Sequence, residues 1–228
     1  MPNSPAPPVP ILALENIHFA YAGGPPICSG LHFALHGQDR IGLYGPNGSG
    51  KTTLLRLIMG LEKAQKGRVL LHGTPVEDPK TLHRLRCSIG FVLQNSEDQL
   101  FSPTVLEDVA FGPLNLGLNR QEARDRAMET LESMGIASLA HRQTHRLSGG
   151  EKKMVSIATV LSMRPEALFL DEPTSFLDAE AKSRIIATLQ GQNIARIVVS
   201  HDRHFLEQTA STFLCIKDGV LSENYPLA

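Results

Sequence analysis

Short apolar runs alternate with stretches of helical periodicity along most of the chain, the pattern of an α/β core whose strands are largely parallel. Ile41-Gly42-Leu43-Tyr44 reads as a core strand. A glycine-rich turn follows, then a helix from about Lys51 that turns Leu54, Leu55, Leu57, Ile58 and Leu61 to the interior, with Gly67 closing the connection. Upstream, from Ile11 to Leu35, β-branched and aromatic residues between Gly and Pro clusters predict antiparallel strands, and Arg68 to Leu71 is expected beside them as part of a small β lobe. Asn119 to Met134 is the clearest helix: Asn119 caps it, Glu122 stands three residues on, Ala123, Ala127, Leu131 and Met134 share a face, and Gly135 ends it. A second helical run, Glu151 to Ser162, follows two glycines and buries Val155, Ala158 and Leu161. Residues of about 97–164 therefore read as a helical lobe inserted between core strands, with Ala167 to Leu170 and Arg196 to Ser200 returning to the sheet. Met1 to Pro10 holds five prolines and reads as an extended, solvated tail, which leaves 11–228 as a single domain with no internal repeat.

The turn after the first core strand carries the most chemistry. Gly45-Pro46-Asn47-Gly48-Ser49-Gly50-Lys51-Thr52, followed by Thr53, is a phosphate loop. Its glycines let the backbone turn tightly and aim N–H groups at phosphate oxygens where the next helix begins. Lys51 would lie on the β- and γ-phosphates, and the Thr52 hydroxyl would ligate Mg²⁺. Ala167 to Leu170 ends in two carboxylates at the edge of the sheet where ligands of such folds bind. Alternation along the strand is expected to separate them, Asp171 serving Mg²⁺ through water and Glu172 polarising an attacking water. His201 follows the strand from Arg196 to Ser200 at the same edge, and Gln94 ends Ile89-Gly90-Phe91-Val92-Leu93 as a neutral group able to touch the metal or the water.

Composition narrows the surroundings. The 228 residues suffice for a sizeable core, and a net charge of -1 gives no general attraction to nucleic acid or anionic lipid. Cys28, Cys87 and Cys215 are three, widely spaced and without a C-x-x-C pair, so a reducing compartment is expected rather than a disulfide framework. No apolar run reaches the ~18 residues of a membrane span, and no export signal is read. His32/His36, His141/His145 and His201/His204 have suggestive spacings but do not read as metal sites: the first pair lies in an expected strand, where four positions separate side chains by over ~10 Å, the second lies in a polar loop, and the third begins with the histidine already placed at the sheet edge.

Three segments together, the phosphate loop, Leu147-Ser148-Gly149-Gly150-Glu151 and Ala167 to Glu172, resemble an ABC-type ATPase. The fold this implies is the P-loop NTPase core of that family, α/β, with an N-terminal antiparallel β lobe and an inserted α-helical lobe. Ser148, Gly149 and Gly150 open a helix and so offer a second anion site, although the phosphate loop already holds a nucleotide. The resemblance implies that the second site caps the γ-phosphate of ATP bound by the other copy in a head-to-tail dimer. It further implies that Tyr21 stacks on adenine, that His201 contacts the γ-phosphate, and that Ser175-Phe176-Leu177-Asp178 links the two sites through Asp178, Phe176 standing where a small residue is usual.

A longer stretch, Gln94 to Val105 continuing through Glu107-Asp108-Val109-Ala110-Phe111-Gly112-Pro113 to Gly117, is similar to the ATPase subunit of energy-coupling-factor importers. Within that group Leu147-Ser148-Gly149-Gly150-Glu151-Lys152-Lys153 looks most like the cobalt or nickel uptake ATPases, and the short length agrees, since vitamin importers often continue past the equivalent of Val220. The resemblance implies ATP and Mg²⁺ as cofactors, a homodimer or a heterodimer with a related ATPase, an integral membrane coupling subunit, a substrate-binding membrane subunit, and a peripheral place on the cytoplasmic face of the cell membrane. Glu97 and Asp98 are expected to pair with basic residues of the coupling subunit. The competing readings are the ATPase of a vitamin importer, that of an unrelated exporter, and a soluble ABC ATPase that works on nucleic acid or ribosomes. The last usually has tandem cassettes or coiled-coil insertions, and neither is seen.

Overall fold

The computed structural model describes residues 9–223. The Pro-rich tail therefore lies outside the described residues except for Val9 and Pro10. In chain order the elements are β1 (Leu12–Ala20), β2 (Pro26–Leu35), β3 (Arg40–Tyr44), α1 (Lys51–Ile58), β4 (Lys66–Leu71), β5 (Thr74–Pro75), α2 (Pro79–Ser88) and β6 (Ile89–Val92). They continue with α3 (Val105–Asn115), α4 (Arg120–Ser133), α5 (Gly149–Leu161), β7 (Ala167–Asp171), α6 (Ala179–Gly191), β8 (Ala195–Val199), α7 (Arg203–Thr209), β9 (Thr212–Lys217) and β10 (Val220–Glu223).

Two sheets result. One has the order β2-β1-β4-β5 and is antiparallel, with β4 in the place expected for Arg68 to Leu71. The other has the order β10-β9-β3-β8-β7-β6; all its pairings are parallel except that of β10 with β9. Strand alternation divides the second sheet between two cores. Ala167 and Phe169 of β7 and Ile197 and Val199 of β8 face α1 and the antiparallel sheet. Leu168, Leu170 and Val198 face the other way, toward the helices that follow β6. Four helices begin with a capping box, Asp78/Thr81, Thr104/Glu107, Asn119/Glu122 and Ser148/Glu151, which meets two of the orphan N–H groups of each start, those of the N-cap and N3 residues.

Three expectations need correction. Leu61 does not join the buried face of α1; the helix stops at Ile58 and Leu61 is 47% exposed. Gly67 is not a connection but lies within β4, at φ +86°, where an added Cβ would come 2.3 Å from the Asn16 carbonyl oxygen. Leu161 is only partly buried, because α5 ends there and its side chain lies at the margin of the second core.

Arg196 shows how this architecture holds an ion inside. It is 1% exposed, and its guanidinium donates to the carbonyl oxygens of Thr209 (2.8 Å), Leu189 (2.6 Å) and Gln192 (3.3 Å). Burial pushes it down to about 10, with the Arg40 charge adding to the effect. The contacts tie the ends of α6 and α7 to β8, and hence fix where β8 delivers its C-terminal residues. Arg196→Leu leaves those carbonyls without their donor and is expected to cost about 3 kcal/mol, read as a lower urea midpoint at unchanged slope.

Candidate functional site

The phosphate loop lies between β3 and α1, and its shape depends on glycine. Gly50 sits at φ +98° as the N-cap of α1, and a Cβ there would come 2.2 Å from Cγ2 of Ile27. Lys51 is 9% exposed; its ammonium folds over the loop and donates to the carbonyl oxygens of Gly45 (2.9 Å) and Pro46 (3.0 Å). An ammonium has three donors, so one remains to point outward. Ser49 presents a buried hydroxyl oxygen that has no hydrogen-bond partner among the described residues. A phosphate oxygen in the loop would satisfy it, so the residues fit a nucleotide triphosphate. Asn47 and Gly48 stay at the mouth of the loop, and Thr53 faces Tyr21, whose hydroxyl lies 3.4 Å from the Thr53 hydroxyl. Tyr21 is 46% exposed and packs edge-on against Phe19, leaving a ring face open beside the loop.

At the end of β7 two carboxylates diverge. Asp171 is 2% exposed and accepts from the Thr52 hydroxyl at 3.0 Å. Burial holds its carboxyl above the ordinary range, a push opposed first by the Thr52 hydrogen bond, increased by the Glu172 charge and opposed again by Lys153 and Lys51. A buried carboxylate joined to a threonine hydroxyl is an all-oxygen donor set that suits Mg²⁺. Glu172 does not separate from Asp171 by strand alternation alone, as expected from the sequence. Its backbone is left-handed (φ +45°), its N–H is held by the Val199 carbonyl at 2.9 Å, and its carboxylate turns to His201 Nδ1 at 2.8 Å. The structure thus places His201 on Glu172, with its side chain otherwise 71% exposed.

Ser148 caps α5: its hydroxyl accepts from Glu151 N–H at 3.3 Å and its own N–H donates to the Glu151 carboxylate at 2.8 Å. Gly149 and Gly150 occupy the first turn, whose N–H groups lack intrahelical acceptors by construction. Asp178 caps α6 by accepting from Ala181 N–H at 2.8 Å. Gln94 is exposed just after β6, and its position is fixed by a residue that the sequence reading missed. Lys153 is 3% exposed and donates to the Leu93 (2.9 Å) and Gln94 (2.7 Å) carbonyls; burial pushes it down to about 8, with Asp171 opposing. Gln99 adds a second tie, accepting from Leu93 N–H and donating to the Ser156 carbonyl and the Thr159 hydroxyl. The segment holding Gln94 is therefore bolted to α5. Lys153 lies four positions before Ile157 and seven before Val160, both buried, and that helical phase was the signal that could have found it.

Glu97 also departs from expectation. Its carboxylate is taken by Lys152 at 2.6 Å, which holds it in the ordinary ionised form and below its usual range, so of the acidic pair it is Asp98 that is left to meet an outside cation. Nearby, Phe101 (66% exposed) and Phe111 (44%) form an edge-to-face pair with centroids 4.7 Å apart. Asp108 holds the Phe101 end by accepting N–H bonds from Phe101 (3.2 Å) and Ser102 (2.9 Å), while its other carboxylate oxygen is buried without a partner among the described residues. Burial raises its carboxyl above the ordinary carboxylate range. The folded state then binds more protons than the unfolded one over the interval above 3.8, so this group lowers stability as pH rises through it. Asp108→Asn is expected to be more stable than the native chain near neutrality, with the difference closing as pH falls through the raised folded-state value to the ordinary carboxylate range, read in denaturant titrations at several pH values. None of the histidine pairs gathers into a metal site: no group of three or more candidate ligands occurs among the described residues.

Comparison with known proteins follows the same lines. Residues 28–175 match the family described as ABC transporter. A Nitratidesulfovibrio vulgaris protein, described only in general terms as an ABC transporter ATP-binding protein, is 51% identical over 213 residues, 93% of this chain and 78% of that protein. The cobalt import ATP-binding protein CbiO of Rhodobacter capsulatus is 44% identical over 89% of this chain and 72% of its own length. The energy-coupling factor transporter ATP-binding protein EcfA of Methanothermobacter thermautotrophicus is 40% identical over 95% and 71%. Among solved structures, cbiO1 of Clostridium perfringens, part of the ABC transporter complex cbiONQ, superimposes with a TM-score of 0.84 at 34% identity, covering 94% of this chain and 88% of that one. The dimeric structure of MJ0796, a bacterial ABC transporter cassette, gives 0.81 at 26% identity, covering 95% and 100%.

Proposed function

Because the chain belongs to the ABC transporter family, as an ATP-hydrolysing, ATP-binding subunit, we propose that it powers an energy-coupling-factor importer whose cargo is Co²⁺ or Ni²⁺. ABC ATPases of this kind dimerise and work with membrane subunits. Among the described residues no helix is long and apolar enough to cross a membrane. In this reading the chain sits on the cytoplasmic face of the membrane, and the cargo passes through its partners.

The residues act in sequence on the nucleotide. The ring of Tyr21 stacks on adenine. Backbone N–H groups from Asn47 to Thr53 and the Ser49 hydroxyl hold the phosphates, and Lys51 turns its remaining N–H to the β- and γ-phosphates. Thr52, Asp171 and Gln94 are the residues that would hold Mg²⁺, which supplies neutralisation of phosphate charge. Glu172 takes a proton from the attacking water, and His201 fixes that carboxylate and reaches the γ-phosphate. Ser148, Gly149 and Gly150 of a second copy close the pocket from outside, and Asp178 lies on the link between the two sites. Two copies of one chain supply two complete sites.

The observation that carries the importer reading is the exposed Phe101–Phe111 pair. Phe101 follows Gln99 by two residues on the stretch that carries Gln94, which Lys153 and Gln99 bolt to the helix headed by Ser148, and Phe111 meets it from α3. A membrane subunit seated on those rings would move the nucleotide-facing glutamine and the second anion site together. Cobalt and energy-coupling names among relatives at 40% identity or more support the cargo class. Co-expression with membrane proteins of the coupling and substrate-binding types, followed by uptake of radioactive nickel and cobalt into vesicles, tests it. Phe101→Ala combined with Phe111→Ala is expected to weaken co-purification by roughly tenfold or more while ATP binding by the isolated chain is unchanged. Uptake of neither metal, or assembly indifferent to both rings, would contradict the reading.

A further inference from the structure

Phe176 is the most exposed large apolar side chain among the described residues, with 103% of its reference surface in solvent. Its backbone is also left-handed, at φ +63°, a region that bulky L-residues seldom occupy. A ring held out in this way makes no contribution to the isolated chain, so its use must lie outside it. Its place in the fold is well defined. Glu172 stands four residues before it, and Asp178, two residues after it, caps α6. The first turn of α6 lies against Gly150, where a Cβ would come 2.9 Å from that of Ala181. Along the chain Phe176 therefore lies between the catalytic carboxylate and the first turn of α6, which meets Gly150.

We propose that Phe176 anchors the ATP-dependent interface between two copies of this chain by filling, on the partner copy, the apolar hollow beside the phosphate loop. The proposal rests on the head-to-tail arrangement of the preceding subsection. There each Ser148–Gly150 segment faces the other copy's phosphate loop, so what flanks that segment on one copy meets what flanks the loop on the other. Phe176 flanks the first. The second is flanked by a hollow of about 420 Å³ lined by Tyr44, Pro46, His201, Leu206, Phe213 and Cys215. Its wall is largely apolar and aromatic, which suits a phenyl ring. Because a two-fold interface is self-complementary, the same anchor is made twice. One wall of the hollow is His201, the residue that holds Glu172, so a seated ring would brace the catalytic pair only when two copies have closed.

The test uses the full chain carrying Glu172→Gln, so that bound ATP is not consumed, with the dimer dissociation constant measured by sedimentation. Adding Phe176→Ala is expected to raise that constant on the order of 100-fold, since two buried rings are lost, while ATP binding by the monomer stays unchanged. Phe176→Leu should recover most of the loss. Position is tested by cross-linking: Phe176→Cys with Cys87→Ser, treated with a short bifunctional maleimide, should join position 176 of one copy to Cys215 of the other, and only with ATP present. Cys28 is 1% exposed and does not compete. A cross-link between the two 176 positions, or an unweakened dimer in Phe176→Ala, overturns the proposal and leaves the sandwich standing. Absence of any ATP-driven dimer when Phe176 is intact overturns the sandwich itself, and the anchor with it.

Discussion

Glu172→Gln is expected to lower ATP turnover by about 10²–10⁴-fold, the usual contribution of a positioned general base, while leaving equilibrium ATP binding close to native. The geometry separates the two effects. Glu172 is held by backbone, through Val199, and by His201, whereas Lys51 bonds the loop carbonyls and Thr52 bonds Asp171. Glutamine has the same length and can keep a hydrogen bond to the imidazole, so the pocket is preserved; the amide oxygen merely cannot take the proton that leaves the water. With hydrolysis stalled, the event that separates the two copies is removed, and a lasting ATP-bound dimer should accumulate. Phosphate release and nucleotide binding measured on one preparation decide the matter, and native turnover in this variant would remove Glu172 from the base role. Lys51→Ala should fail differently, at binding, because it deletes the ammonium that both shapes the loop and meets the phosphates.

What the sequence made legible was mostly local chemistry. The phosphate loop, the capping box at Asn119 and Glu122, and the two apolar strands that end beside it all follow from residue types at short spacing, and each stands in the fold as read. What escaped was set by contacts between distant segments or by backbone conformation. Glu97 reads from sequence as free to meet a basic residue of a partner subunit because its partner within the chain, Lys152, lies 55 residues away in sequence. Lys153 sits in a charged run and is given no role of its own in the sequence reading, yet α5 rotates it inward to carry the chain at Gln94. Glu172 and Phe176 have positive φ that no residue type signals, since neither is glycine or asparagine. That backbone turn, rather than the pleat alone, brings Glu172 to His201, and so a histidine expected to face phosphate stands first against the carboxylate.

Mixing two inactive variants should restore activity, and the sign of that result distinguishes an anion site that acts within one chain from one that acts across two. Ser148→Arg places a long cationic side chain at the mouth of α5 and removes a capping oxygen, so it is expected to reduce turnover by about 10²-fold or more, the scale of losing donors aimed at a reacting oxyanion. It leaves the phosphate loop, Asp171 and Glu172 of the same chain intact. Glu172→Gln has the opposite defect: its Ser148–Gly150 segment is sound and its base is not. In a head-to-tail hybrid of the two, one pocket combines both defects, while the other combines the sound base of the Ser148→Arg copy with the sound second anion site of the Glu172→Gln copy. Turnover should therefore rise roughly tenfold or more above either variant alone when they are mixed one to one, to about a quarter of the native rate, because random pairing makes half the dimers hybrids and one pocket in each hybrid is repaired. Were Ser148–Gly150 to serve the nucleotide of its own chain, each pocket of the hybrid would keep one defect and mixing would do nothing. A rate equal to the average of the two separate preparations, with hybrid formation verified by a tag on one copy, is the result that would discard the shared pocket.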